Sequence, residues 1–258
     1  MAETCAFCGR PGPLTKEHVW PRKFEKYLSK MQGQIRYLHE HGPDDVPELR
    51  KRMAGGFDNK VRAVCGSQGC NDGWMDELDH EAESIVAALM RGISVSLDAD
   101  GQDLLTRWAL KVSYMTEFLH PAERRLVPAH HRRLLMDGEL PPNTYLWIAD
   151  YRGHRAGQHR LRTFDIFDLV PGVEGDDANK VLAGKGYMLA FSLSQLAIRV
   201  LGYPDIASRP LKREEAAVPW ETQLLPRVMH TVVLPPPKSL RDADWRNFTN
   251  RLPTRGWS

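Results

Sequence analysis

Four cysteines, the chain's whole complement, fall into two short-spaced pairs in the first third of its 258 residues. Cys5 and Cys8 form C-x-x-C, and Cys65 and Cys70 form C-x4-C. Two thiol pairs that meet around one ion staple the chain between them into a loop, and that stretch is otherwise poor in core-forming residues. Zinc takes four tetrahedral ligands, and a closed set of four thiolates is structural rather than catalytic. The first residues, MAETCAFCGR, hold no apolar signal-like segment. No apolar run is long enough to cross a bilayer, so no membrane association is expected. The expected location is the cytoplasm, where paired thiols bind metal rather than form disulfides.

Composition narrows the class without naming it. A hydrophobic fraction of 42% and a charged fraction of 26% are ordinary for a globular protein and exclude a disordered chain. The net charge of +2 does not by itself imply a polyanionic partner, but its distribution is uneven. The first 36 residues carry seven Lys or Arg against three acids, and RGHRAGQHRLR (152–162) carries four Arg and two His with no acid. Residues 72–83 reverse the sign, with six acids and no Lys or Arg. Basic patches on a near-neutral protein suit a local polyanion site, and the acidic stretch is expected to face away from it.

The fold class read from the pattern is α+β: a zinc-stapled N-terminal module, a helical middle and a β-rich C-terminal region. Residues 22–31 have helical spacing at Phe24, Tyr27, Leu28 and Met31, and 32–56 read as a polar insertion or loop. KVRAVC (60–65) alternates as a short strand. A long helix is predicted from Asn71 or Asp72 through Trp74, Leu78, Ala82, Ile85 and Leu89, ending near Gly92. Further helices are predicted over 102–119 and 121–136. TYLWIADY (144–151), LRTFDIFDLV (161–170), 186–203 and VMHTVVLP (228–235) read as strands, and 240–251 as a short helix. The strands look able to form a core of their own. Domains are accordingly expected at 1–92 and 93–258.

Around the cysteines sit Glu17-His18 in TKEHVWP, Asn59 in FDNKVRAV and Asn71 in CNDGWM. Taken singly these are ordinary: a polar histidine, a turn asparagine, a helix N-cap. In this order, C-x-x-C, EHVWP, DNKV and C-x4-CN resemble the HNH endonucleases of the ββα-metal superfamily, over residues 5 to about 83. Such proteins carry a D/E-H-[IV]-x-P segment, a central Asn and a closing C-x2–4-C-N.

The resemblance implies a fold, a two-stranded hairpin followed by a metal-binding helix, and a reaction. His18 matches the general base that takes a proton from water, a role suited to an imidazole titrating near working pH. Glu17 matches the acidic ligand of a catalytic divalent ion, Asn71 the second ligand at the helix start, and Asn59 the residue that orients the histidine. Oxygen donors of this kind suit Mg²⁺ or Mn²⁺, beside a structural zinc on Cys5, Cys8, Cys65 and Cys70. Where some members carry a further histidine one turn after Asn71, this chain has Met75, which favours the carboxylate-plus-asparagine type of site. His80 falls out of phase on the helix and reads as surface. Lys16, Arg22, Lys23, Lys60 and Arg62 flank the motif and are candidates for phosphate contacts. Trp20 and Trp74 read as core.

The function expected from this resemblance is a divalent-metal-dependent DNA endonuclease, with a place in bacterial or phage defence as one setting. The alternative, from another class, is a non-catalytic zinc-knuckle protein that binds nucleic acid. Adjacent strand residues point to opposite faces, so Glu17 and His18 can share one site only if the backbone twists there. Residues 100–258 hold no second catalytic signature; their histidines are scattered, and His130-His131 read as a solvated helix face. That region could bind DNA, sense a ligand or form a homodimer that pairs two sites for double-strand cleavage.

Overall fold

The computed structural model describes residues 3–28, 38–41, 48–49, 60–66, 69–154, 157–169, 180–203, 220–225 and 230–250. Asn59 lies outside them.

The N-terminal third builds a hairpin-like pair and a helix. Strand β1 (Leu14–His18) is followed by a short 3₁₀ segment (Arg22–Tyr27), by β2 (Leu38–His41) and β3 (Glu48–Leu49), and by β4 (Lys60–Cys65). The helix predicted over 22–31 is thus one tight segment. Pro21 precedes it, only Phe24 is buried, and Leu28 is already extended. After Cys70 the chain makes a wide turn of five-residue hydrogen bonding over Asn71–Met75, broken at Gly73, before α1 (Asp76–Met90) becomes regular. The helix therefore begins where expected, but its first turn is not α-helical.

The middle consists of β5 (Val95–Leu97), α2 (Ala99–Thr116) and α3 (Ala129–Met136). Asp98 caps α2 by accepting from the Gly101 N–H at 2.9 Å. The rest is β6 (Thr144–Tyr151), β7 (Gly157–Leu169), β8 (Lys180–Leu193), β9 (Leu196–Gly202), β10 (Thr222–Leu225), β11 (Val232–Leu234), β12 (Ser239–Leu240) and α4 (Trp245–Asn250). One sheet runs β10-β6-β9-β8-β7-β2-β3, with β12 parallel on the free end of the β6 edge; β1-β4 and β5-β11 are separate antiparallel pairs. Part of the presumed polar insertion, β2, lies parallel to β7 and so extends the main sheet. Among the described residues no helix is long and apolar enough to cross a membrane.

Period-two alternation gives the sheet two buried faces. Trp147, Ala149, Tyr151, Met188, Ala190 and Leu201 pack with Trp245 and Phe248 of α4. The opposite face, with Leu146, Ile148, Leu189, Phe191 and Ile198, belongs to a larger cluster that continues through Leu105, Trp108 and Val112 of α2 to Trp20, Phe24 and Phe7. The C-terminal strands thus have a core of their own on one face only. Their other face is covered by helices that also cover the cysteine-bearing segment.

Candidate metal centre and its adjoining pocket

The four cysteine sulfurs all lie within 4.8 Å of one another. Cys5 and Cys70 Sγ are 3.7 Å apart, as are Cys8 and Cys65 Sγ, and none is in a disulfide. A tetrahedral ion with zinc–sulfur bonds of about 2.3 Å sets its sulfurs about 3.8 Å apart, so the donor set fits such an ion. Local chemistry shapes both pairs. The chain turns back after Cys8 through Gly9 (φ +70°), whose N–H donates to the Cys5 carbonyl at 3.0 Å. The Cys70 N–H donates to Cys65 Sγ at 3.3 Å. A Cβ on Gly69 would fall 2.6 Å from that sulfur and 2.5 Å from the Gly66 carbonyl oxygen, so only glycine lets the backbone come this close.

Crowded thiols compete for protons. A hydrogen bond with Cys70 pulls Cys5 down to about 4, and the same sharing, with burial, raises Cys70; burial also raises Cys8. A bound cation would favour the thiolate at every position.

Helix α3 braces this cage from outside. Arg132 Nε donates to the Ala6 carbonyl and an Arg133 guanidinium N–H to the Cys8 carbonyl, both at 2.8 Å. Met136 Sδ lies 3.8 Å from Cys70 Sγ. Arg132 also donates to the fully buried Glu117 at 2.5 Å, whose other oxygen accepts from the Leu126 and Val127 N–H groups.

The cage pins the end of β4 through Cys65 and the start of the α1 turn through Cys70, which sets the walls of a neighbouring pocket. The pocket, about 450 Å³, is lined by Lys16, Glu17, His18, Pro21, Arg22, Lys23, Asn71, Asp72, Asp76 and Asp79. Antiparallel pairing sets Glu17 opposite Val61 and His18 opposite Lys60, and the register shifts between Thr15 and Lys16. With that irregularity on one side and the strand's end on the other, consecutive residues Lys16, Glu17 and His18 all reach the pocket. Asn71 does not cap the helix. Its Nδ2 donates to Thr15 Oγ1 at 3.2 Å. The Thr15 hydroxyl spends its one proton on the Val64 carbonyl, also at 3.2 Å. It must therefore accept from Asn71, which fixes the amide with Oδ1 turned away from Thr15.

Of the other residues singled out from sequence, Lys16, Arg22 and Lys23 line the pocket, whereas Lys60 and Arg62 lie outside its lining. Arg62 is engaged by Glu3 and the Leu14 carbonyl. Trp20 is fully buried and Trp74 packs edge-on against Phe7 at 5.3 Å, both as core. Met75 is buried and His80 exposed.

The acidic stretch is a correction. Asp72, Asp76 and Asp79 do not point away from the pocket but line it. Asp76 and Asp79, three residues apart on α1, share one helix face, and Asp72 joins them from the wide turn before it. Asp79 is 4% exposed, and its Oδ2 accepts from Lys111 Nζ of α2 at 2.6 Å; Lys111 is entirely buried. Asp79 Oδ1 is buried with no hydrogen-bond partner. The Trp108 indole N–H lies near enough to favour the carboxylate but makes no bond of normal geometry. Burial raises Asp79. Burial pushes Glu17 up to about 7, opposed by the Lys111 charge and reinforced by those of Asp79 and Asp76.

Glu17, Asn71 and Asp79, three side chains with oxygen donor atoms, line this one pocket. Among the described residues, only the four cysteines bring three or more His, Cys, Asp or Glu ligand atoms together so closely. Sequence reasoning passed over Thr15, Asp79 and Lys111. The signal for the last was a lone lysine inside the apolar run WALKVSYM.

No family model, curated protein or solved structure matches this chain.

Proposed function

We propose that this protein is a divalent-metal-dependent phosphodiesterase acting on DNA as an HNH-type endonuclease. The observation that carries the reading is the single pocket that gathers Glu17, His18 and Asn71 beside a thiol cage. Cys5, Cys8, Cys65 and Cys70 would hold a structural zinc, and Glu17 and Asn71 a catalytic Mg²⁺ or Mn²⁺. When bound, such an ion would offset negative charge on the phosphate and the leaving 3′-oxygen.

The protein's own groups supply the rest. Neutral His18 takes a proton from water as the resulting hydroxide attacks phosphorus and the P–O3′ bond breaks. Thr15 holds the Asn71 amide in one orientation. Lys16, Arg22 and Lys23 at the pocket edge position the phosphate backbone without reading sequence. Glu17, Asp72 and Asp76 share the pocket with these cations, while Asp79 is already offset by Lys111; carboxyl groups there oppose a polyanion unless a bound cation offsets them, which a zinc knuckle binding nucleic acid unaided lacks.

The test is supercoiled plasmid incubated with zinc-loaded protein in EGTA, Ca²⁺, Mg²⁺ or Mn²⁺, beside His18→Ala. The expected result is relaxation by the wild type alone in Mg²⁺ or Mn²⁺, with gel retardation by both proteins strengthened in Ca²⁺. Equal cleavage by the variant would refute His18 as the base. Retardation indifferent to divalent ions, with no cleavage, would establish the binding module instead.

A further inference from the structure

Asp79 is a poor candidate for a purely structural ion pair. A buried carboxylate tolerates its desolvation when both oxygens are satisfied. Here Lys111 satisfies Oδ2, while Oδ1, in a residue that lines the pocket, makes no hydrogen bond of normal geometry, even with the Trp108 indole N–H close to the carboxylate. An orphan carboxylate oxygen beside Glu17 and Asn71 is what a cation would need for another oxygen ligand. Lys111 offers a reason why the side chain stays in place: it is wholly buried on α2 and neutralises Asp79 from behind. Asp76 makes the contrast. It lines the same pocket, but its side chain is 71% exposed and it pairs with Lys23 at 3.5 Å.

We propose that Asp79 is a further protein ligand of the divalent cation at Glu17 and Asn71, with Lys111 as the counter-charge that anchors its other oxygen. This rests on the reading of Glu17 as a cation ligand given above. It makes the site depend on α2, outside the segment whose motifs suggest the activity.

The experiment is titration of zinc-loaded, full-length protein with Mn²⁺, followed by the loss of the free-ion electron paramagnetic resonance signal. Circular dichroism and zinc content check each variant. Asp79→Asn/Lys111→Met removes both buried charges and so preserves net charge, and it remains usable if Asp79→Asn alone fails to fold. Expected is a loss of Mn²⁺ affinity of about tenfold or more for this double variant and for Glu17→Gln, the size typical of removing a metal-site partner. Asp76→Asn should change affinity by less than about threefold, as screened surface charges do. Wild-type affinity in the double variant, or equal losses in Asp76→Asn and the double variant, would overturn the assignment of Asp79. If Glu17→Gln alone weakens binding, the cation site stands without Asp79. If wild type binds no Mn²⁺, the underlying reading falls with it.

Discussion

Replacing Glu17 by Gln should change how stability depends on pH, and the sign follows from the pocket. Burial and neighbouring carboxylates hold the Glu17 carboxyl at about 7, against an ordinary value of 4.5. Below pH 4.5 the group is protonated whether the chain is folded or not, and it is neutral in its effect. Between 4.5 and 7 the unfolded chain releases this proton while the folded chain keeps it. Stability therefore falls with rising pH across that window and levels off above it. The gap corresponds to roughly 3 kcal/mol at most. Partial solvent contact at the pocket reduces that to about 1–3 kcal/mol.

Gln keeps the shape and loses the titration, so the variant should gain on wild type as pH rises. Urea unfolding of both zinc-loaded proteins, without Mg²⁺ or Mn²⁺, from pH 5.5 to 8.5 reads this directly. About three fifths of that effect falls above pH 5.5, so at a urea slope of about 3 kcal/mol/M for a chain this size the midpoint of the variant relative to wild type should climb by roughly 0.2–0.6 M. Titration of the thiol cage is common to both proteins and cancels in the difference. A midpoint difference that does not vary with pH would mean that the pocket leaves Glu17 an ordinary carboxyl. The crowding argument would then fail.

Two further perturbations test the elements around the pocket. Lys111→Met should strand Asp79 as an unpaired buried charge and lower stability by about 3–5 kcal/mol in chemical denaturation, while Asp79→Asn/Lys111→Met should recover most of that loss; a cost below about 1 kcal/mol would contradict the burial of the pair. Cys70→Ser should abolish the stoichiometric zinc expected by metal analysis, one ion per chain, and lower the melting temperature. Full retention of zinc by that variant would show that the ion does not occupy the four-thiol set.

Local pattern made much of the fold legible. Lys60–Cys65 and Thr144–Tyr151 form strands over the predicted residues, because alternation and flanking breakers act within a few residues of each other. The cysteine spacing likewise announced a cage that the sulfurs bear out in space. Pairing across distance was not legible. The Asp79–Lys111 contact joins residues 32 apart in sequence, and neither residue type signals burial. The six acids of 72–83 are expected from sequence to face away from a polyanion site, because like charges repel. Only the packing of α1 and its preceding turn beside the Arg22–Tyr27 segment shows that three of them line the pocket. The segment from Arg22 forms a 3₁₀ turn that ends at Tyr27, because Phe24, Tyr27 and Leu28 reach the core without a regular α-helix, while 29–31 lie outside the described residues.

The position of α2 explains why the N-terminal motif does not stand apart from the rest. Trp108 packs edge-on against Phe24 at 5.5 Å and against Phe191 of β8 at 6.3 Å, so one indole joins the pocket side of the molecule to the main sheet. Three residues on, Lys111 supplies the buried charge that Asp79 needs. At the end of α2, Glu117 holds Arg132, which reaches the first cysteine turn at the Ala6 carbonyl. A chain stopped at residue 92 would keep all four cysteines, Glu17, His18 and Asn71. It would also expose Phe24 and leave Asp79 an uncompensated carboxylate beside Glu17. Both sites would lose support: α2 acts from behind the pocket through Lys111 on Asp79 and Trp108 on Phe24, and α3 braces the cage through the Ala6 and Cys8 carbonyls. The middle helices thus serve both sites, α3 by holding the first cysteine turn and α2 by supplying the charge that makes the adjoining carboxylates tolerable.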